Sequence, residues 1–398
     1  MSTWTKQKLG TTGKVVTGKT PPTSRLELYG DDFPFITPTD ISENSIHVNF
    51  PERHLSKEGS VYLKSSLLPK NAICYTCIAS IGKIAITTRD SFTNQQINSI
   101  VVDESKHSFQ YLYYLLKYKT PQIKLMAGGV ASPIVNKTSF EKLEIELPDL
   151  STQTYVASVL SVYDDMIENN EERIKRLEEM AILLYTEWFV NPIKNGLPKG
   201  WEVKKLEEVT SVITKGTTPT TLKKYFVQSG INFIKIESIG NHGDFIESKF
   251  AKIDTETHNL LKRSKIQDGD ILFSIAGAIG RTALITKRFL PANTNQALAI
   301  IRPKEELLRY YLYQVVSSLD FLNFSKGRIV QTAQANVSLG VLSSANILLP
   351  ANEILLKYNL KIKNIFETID EISTQNQNLS KTRDLLIPQL VTGRRELK

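Results

Sequence analysis

Apolar residues follow two rhythms along this chain. In the first, short apolar runs are broken by Gly, Pro, Asn and Asp. Residues 73–78 and 271–275 are such runs and read as strands. Gly82 and Gly280 follow them and suit a turn into the next strand. Asp268-Gly269-Asp270 is a turn signal ahead of the second run. Residues 111–116 and 310–313 read as short helices in the same relative place. This is an α+β pattern, not a strict βαβ alternation.

The second rhythm is a heptad. Apolar positions run Val156, Leu160, Tyr163, Ile167, then Ile174, Leu177, Ala181, Leu184 and Trp188, in steps of four and three. Asn170 interrupts this seam. A second seam runs Leu355, Tyr358, Ile362, Ile365, Ile369, Ile372, then Asn376, Leu379, Arg383 and Leu386. Helices of about 30 residues would be ~45 Å long and would draw most of their stability from packing. The simplest solution is an antiparallel coiled coil, with the two Asn fixing register. The alternative is that each helix packs on its own lobe. Asn191-Pro192 should close the first helix, and Pro388 should end or kink the second.

The two rhythms occur in the same order twice. Trp4-Thr5-Lys6-Gln7-Lys8-Leu9 returns as Trp201-Glu202-Val203-Lys204-Lys205-Leu206, and Gly18-Lys19-Thr20-Pro21 as Gly216-Thr217-Thr218-Pro219. Phe35-Ile36, Ile81-Gly82-Lys83 and Thr93-Asn94-Gln95 return as Phe233-Ile234, Ile279-Gly280-Arg281 and Thr294-Asn295-Gln296. The offset is near two hundred residues, far above the ~20–50 of a solenoid repeat. The expected organisation is a first lobe (1–150), a helix (151–195), a second lobe (196–350) and a second helix (351–398). Two similar lobes can contact two places on one partner.

Composition narrows the class. At 398 residues, 41% hydrophobic and 23% charged, the chain is of ordinary globular type. No apolar run approaches the ~20 residues of a bilayer span, and the N-terminus lacks an apolar leader core. A cytoplasmic setting is the expectation. The net charge of +8 divides as +3 over 1–150, −4 over 151–195, +7 over 196–350 and +2 over 351–398. Basic lobes suit a polyanion, since each neutralised phosphate releases counterions. Charge alone leaves open a nucleic-acid binder and a scaffold that assembles proteins without touching DNA.

Catalytic chemistry finds no motif. Cys74 and Cys77 are the only cysteines, so a four-cysteine zinc site within the chain is excluded. Three apart in a strand, they face opposite ways, as core residues do. The five His are scattered, and Gly277-Ala278-Ile279-Gly280 lacks the third glycine and the βαβ setting of a dinucleotide site. Asn191-Pro192-Ile193 only partly echoes the methyltransferase Asn/Asp-Pro-Pro-aromatic motif and reads as a helix stop.

The run from Arg173 to Phe189, with Asn170 ahead of it, resembles the central conserved helix of type I restriction–modification specificity subunits. Leu379 through Arg383-Asp384-Leu385-Leu386-Ile387-Pro388 to Gly393 resembles their distal conserved helix. The lobe openings, Trp-x-x-x-x-Leu then Gly-x-Thr-Pro, resemble the same family's target-recognition domains. One departure is that Thr382 stands where the first helix has Leu177, beside Arg383, so the second seam should be weaker there.

The resemblance implies a non-catalytic DNA-recognition subunit. Each target-recognition domain would read half of a bipartite, asymmetric duplex site, and the coil would set the spacer. It also implies two adenine methyltransferase subunits, which carry S-adenosylmethionine. The resemblance extends to complexes that add two restriction subunits using ATP and Mg. Base reading needs polar side chains on exposed loops. The candidates are Lys19, Thr20, Arg25, Ser132, Asn136 and Lys137 in the first lobe. In the second they are Thr217, Lys223, Lys224, Arg328, Gln331, Thr332 and Gln334. Asn94-Gln95 and Asn295-Gln296 recur in both lobes, so a structural role is expected of them. Met180, Tyr185, Trp188 and Phe189 are candidates for partner docking; Phe189 follows the seam position Trp188 and points away from the seam's centre, either as an exposed aromatic for a partner or against the chain's own lobe.

Overall fold

The computed structural model describes residues 4–395 except 43–44, 49–50, 128–132, 241–242 and 329–335, and not the Asn195 side chain. The chain forms two compact units. One comprises residues 1–174 and 372–398, the other residues 175–371. Each unit therefore holds one lobe and a part of each long helix, which regroups the four segments expected from sequence.

In the first unit, Gly13–Thr17, Ile97–Val102, Ile73–Thr76, Ile84–Thr87 and His47–Val48 form a five-stranded sheet in that order. Arg53–Leu55, Tyr29–Ile36 and Phe92–Thr93 form a second sheet. Thr5–Lys8 pairs with Glu144–Leu147 and closes the lobe. The strand expected at 73–78 is thus found at its core. Cys74 and Cys77 are both buried, Cys74 in the cluster with Val16 and Ile36, Cys77 in the one with Tyr75 and Phe140. The helix expected at 111–116 is longer, Phe109–Met126, and starts on the Ser108 side chain, which accepts from the Tyr111 N–H.

The second unit repeats this plan. Thr210–Lys215, Leu298–Pro303, Ile271–Ser274 and Thr282–Leu284 form one sheet; Ala251–Ile253, Ile231–Ile234, Ala292–Thr294 and Lys265–Ile266 form the other. Phe35-Ile36 and Phe233-Ile234 each run parallel to the strand that ends at the repeated Thr-Asn-Gln. All four of these residues are buried.

The long helices are Leu150–Tyr185 and Asn352–Leu390. Asp149 caps the first, its carboxylate accepting from the Thr152 N–H at 2.9 Å. In the first unit the helices run antiparallel. Asp164 meets Arg383 and Asn170 meets Asn376, so six residues forward on one helix match seven back on the other. The two buried asparagines bond to each other, Asn170 Nδ2 donating to Asn376 Oδ1 at 2.8 Å. In the second unit Trp188 and Phe189 pack on Tyr358 of the distal helix. The helices also pack on the lobes: Val156, Leu160, Ile387 and Leu390 share a core with Tyr111 and Leu115.

Three expectations are corrected here. Pro388 does not end its helix, which continues to Leu390. In the last turn, a proline forfeits only one backbone bond. The chain instead turns at Gly393, where φ is +68°. The seam at Arg383 is not weakly packed: Arg383 is buried and bonded to Asp164, itself buried. Asp164 takes the buried place next to Tyr163, so the seam has drifted by one residue.

Candidate nucleic-acid interface

In the first lobe, three loops are stapled at one end of the sheets. Gly18 lies so close to the neighbouring chain that a Cβ there would sit 2.1 Å from the Asn94 carbonyl oxygen. Only glycine allows this approach. The following Lys19 N–H donates to the Thr93 carbonyl at 2.9 Å, and Thr20 Oγ1 donates to Gln95 Oε1 at 2.5 Å. Asn94 and Gln96 bond to each other at 3.0 Å. The hairpin turn adds a third loop: Gly82 takes φ of +100°, and Lys83 Nζ donates to the Pro38 carbonyl at 2.7 Å. A recess of about 350 Å³ opens here, lined by Thr37, Thr39, Arg53, Ser80 and Gln96 among others.

The second lobe builds the same staple. A Cβ at Gly216 would sit 2.0 Å from the Thr294 carbonyl oxygen. Thr217 N–H donates to that carbonyl at 3.1 Å, and Thr218 Oγ1 donates to Gln296 Oε1. Gly280 has φ of +98°, and Arg281 Nη1 donates to the Ile239 carbonyl at 2.8 Å. The repeated Gly, Thr, Gln and Lys/Arg therefore make the same loop-holding bonds in both lobes, the structural role expected of the shared Asn-Gln pairs. The exposed side chains between them differ from lobe to lobe.

The expected readers differ in their surroundings. Lys19 and Lys223 are exposed on the loops, and Arg328 lies over the Phe324 ring at 4.1 Å. Thr20 and Asn136 are exposed and each also makes a bond within the lobe. Thr20 holds Gln95, and Asn136 caps the helix Lys137–Glu141 by accepting from the Ser139 N–H at 2.8 Å. Arg25, Lys137 and Lys224 carry acidic partners, Glu27 at 2.7 Å, Glu141 at 3.6 Å and Glu256 at 2.8 Å. Thr217 accepts from Arg263 at 3.2 Å. Ser132, Gln331, Thr332 and Gln334 lie outside the described residues. Their flanks join the same loops, since Ile134 pairs with Ile78 and Asn336 with Ala276.

The family whose sequence model matches is described as the type I restriction modification DNA specificity domain, over residues 1–179 and 198–382. The chain belongs to this family. It is a specificity subunit of a type I restriction–modification system. A specificity subunit of the MjaIX enzyme from Methanocaldococcus jannaschii is 29% identical, over 98% of this chain and 93% of that one. The HindI specificity subunit of Haemophilus influenzae is 36% identical, over 46% of this chain and 40% of its own. The crystal structure of a type I S subunit from M. genitalium shares the fold, with a TM-score of 0.54 at 14% identity, covering 100% of this chain and 97% of that one.

The helical faces of this specificity subunit decide between the two readings of Phe189. Phe189 is not exposed. It is 3% accessible and sits among Tyr311, Tyr358 and Trp201, with ring centroids 4.7, 4.6 and 6.0 Å away. The helix widens to a π-turn at Thr186–Val190, where Asn191 N–H reaches back to the Thr186 carbonyl. The extra residue rotates Phe189 into its own lobe. Tyr185 and Trp188 are partly covered by the same cluster. Met180 remains exposed, as do Ile182 and Leu183.

Sequence reading missed a contact between the central helix and the first lobe. Glu168 Oε1 accepts from Ser45 Oγ at 2.6 Å and from the N–H groups of Ile46 and His47 at 3.0 and 3.1 Å. His47 Nδ1 lies 3.0 Å from Glu168 Oε2. The bond to Glu168 raises the His47 pKa against the opposing effect of burial. Burial pushes the Glu168 carboxyl up, but bonds from His47 and Ser45 outweigh it and hold it low. Heptad spacing carries no signal for such a pair.

No described helix is long and apolar enough to cross a membrane.

Proposed function

We propose that each lobe reads one half of a bipartite, asymmetric duplex DNA site. The two helices set the spacer and dock two adenine methyltransferase subunits. Those subunits bind S-adenosylmethionine and carry the chemistry; restriction subunits using ATP and Mg join the same frame. This chain supplies recognition and no catalytic group. The observation that carries the reading is the duplicated loop staple. The same bonds hold the loops in both lobes, while the exposed side chains between them differ, as two readers of different sequences require. Their basic charge suits the phosphate backbone, which positions the protein while side chains at base edges specify.

The test is adenine-methylome sequencing of cells with and without this chain. Methylation of one split motif should appear only when the chain is present. Unchanged methylation would reject the proposal. Replacing residues 196–350 with another second lobe should alter one half of the motif, and alteration of both halves would refute independent reading.

A further inference from the structure

The two lobes place a cation at the Gly-x-Thr-Pro loop by opposite means. In the second lobe the loop residue is Thr217, and the cation arrives from the short turn Lys262–Ser264. Arg263 Nη2 donates to Thr217 Oγ1 at 3.2 Å. In the first lobe the loop residue at the matching position is Lys19, and the turn Lys64–Ser66 offers Ser65 where the second has Arg263. The correspondence is exact in backbone terms. Ser66 N–H bonds the Leu63 carbonyl as Ser264 N–H bonds that of Leu261, and all four residues are buried. Thus Lys-and-Ser in one lobe stands against Thr-and-Arg in the other.

Neither cation is spent on an acid. Lys19 and Arg263 are exposed and have no acidic partner among the described residues. Arg263 also borders a groove of about 340 Å³ with Lys262 and Lys265, walled by Val212, Thr214 and Ile300. Arg302 in its floor is neutralised by Asp270, with two bonds of 2.6 and 2.7 Å. That leaves three uncompensated cations over an uncharged wall. A sugar–phosphate segment fits this chemistry, since the phosphate takes the cations and the sugar takes the apolar wall. The buried Leu261 and Ser264 anchor the turn that carries Arg263 beside the loop.

We infer that a DNA phosphate is clamped beside each Gly-x-Thr-Pro loop, by Lys19 in the first lobe and by Arg263 in the second. The inference rests on the duplex-reading function proposed above. It makes these two residues positioning cations, which set the register of each lobe without reading a base.

The test uses the full chain assembled with its methyltransferase subunits on a duplex carrying its motif. The readout is the slope of log K against log salt, together with the methylated motif. Each phosphate contributes about 0.9 to the slope, so R263S should reduce its steepness by about 0.9 and leave the motif unchanged. Between 50 and 200 mM salt the wild type should then lose about 3-fold more affinity than the variant. K19T should do the same. T217K/R263S, which writes the first lobe's arrangement into the second, should restore the slope. An unchanged slope in R263S, a changed base in that half of the motif, or no rescue by T217K/R263S would overturn the clamp while leaving duplex reading intact. A wild-type complex that methylates no motif would overturn the reading and the clamp together.

Discussion

Asp164→Ala should be among the most damaging single changes in the first unit's helices. Asp164 and Arg383 are 2% and 3% accessible. Arg383 donates to Asp164 and, at 2.9 Å, to Asp384. Tyr114 Oη donates to Asp164 at 2.5 Å. Removing the carboxylate leaves a buried guanidinium with one half-exposed partner, and a buried hydroxyl with none. Breaking a buried pair costs roughly 3–5 kcal/mol. The surviving Asp384 contact places this case at the lower end, about 3 kcal/mol. At ~1.4 kcal/mol per tenfold change, hydrogen-exchange protection in residues 160–170 should fall about 100-fold. Asp164→Ala combined with Arg383→Met removes both charges and should recover most of that loss, because uncharged replacements of buried pairs are often neutral. The assay is hydrogen exchange by mass spectrometry on the native chain. A loss below ~1 kcal/mol would refute the reasoning, as would a double variant as unprotected as the single one.

Phe189→Ala should destabilise the second unit by about 3–5 kcal/mol in urea unfolding, whereas Met180→Ala should leave stability unchanged and weaken methyltransferase binding in a pull-down titration. The Glu168–His47 pair should be strongest between the ordinary carboxyl and imidazole values, 4.5 and 6.5. His47 has a raised pKa, so its contribution is full below 6.5 and lost as pH climbs through the raised value; the lowered Glu168 contribution is lost as pH falls through its own. Exchange protection of residues 160–170 should therefore decline from pH 6 to pH 8, and His47→Gln should abolish that decline. Burial pushes the thiols of Cys74 and Cys77 up to about 12 and 11, so a thiol reagent at pH 8 should label them only at the rate of unfolding. Gly216→Ala should cost more than about 2 kcal/mol locally and erase methylation specified by the second half of the motif, read by methylome sequencing.

Much of the fold was legible because it is periodic or repeated. The heptads located both helices, and the paired Asn170 and Asn376 follow from seam positions. The strands at 73–78 and 271–275 followed from apolar runs bounded by turn residues. The failures are local geometry or long-range pairing. A spacing of 3.6 residues per turn assigns Phe189 to the surface, and the π-turn moves it inward. Asp164 lies one place off the ideal seam, where a regular repeat expects a solvated carboxylate. Its partner is 219 residues away in sequence, so nothing near it announces the pair. Among the candidate readers, Thr20 and Asn136 each also make a bond within the lobe, to Gln95 and to the Ser139 N–H, pairings that polarity alone does not announce.

If each lobe reads its own half-site, as proposed, the bonds within each lobe restrict where specificity resides. A side chain that recurs in both lobes and bonds to its own backbone cannot distinguish two half-sites. Lys83 and Arg281 show the limit, since each is cationic and each is occupied by loop carbonyls. Under the proposed half-site reading, discrimination comes from positions where the staple is kept and the side chain changes. Arg53 faces Phe35 across the strand pair where the second lobe has Ala251 facing Phe233. Arg25 is opposite Lys223 in the repeat, one tied to Glu27 and the other free of an acidic partner among the described residues. Exchanging Arg53 and Ala251 between lobes should therefore change which bases are methylated in a half-site, while exchanging Lys83 and Arg281 should change only stability. A motif altered by the second exchange and untouched by the first would place reading in the shared scaffold, and the division between staple and reader would fail.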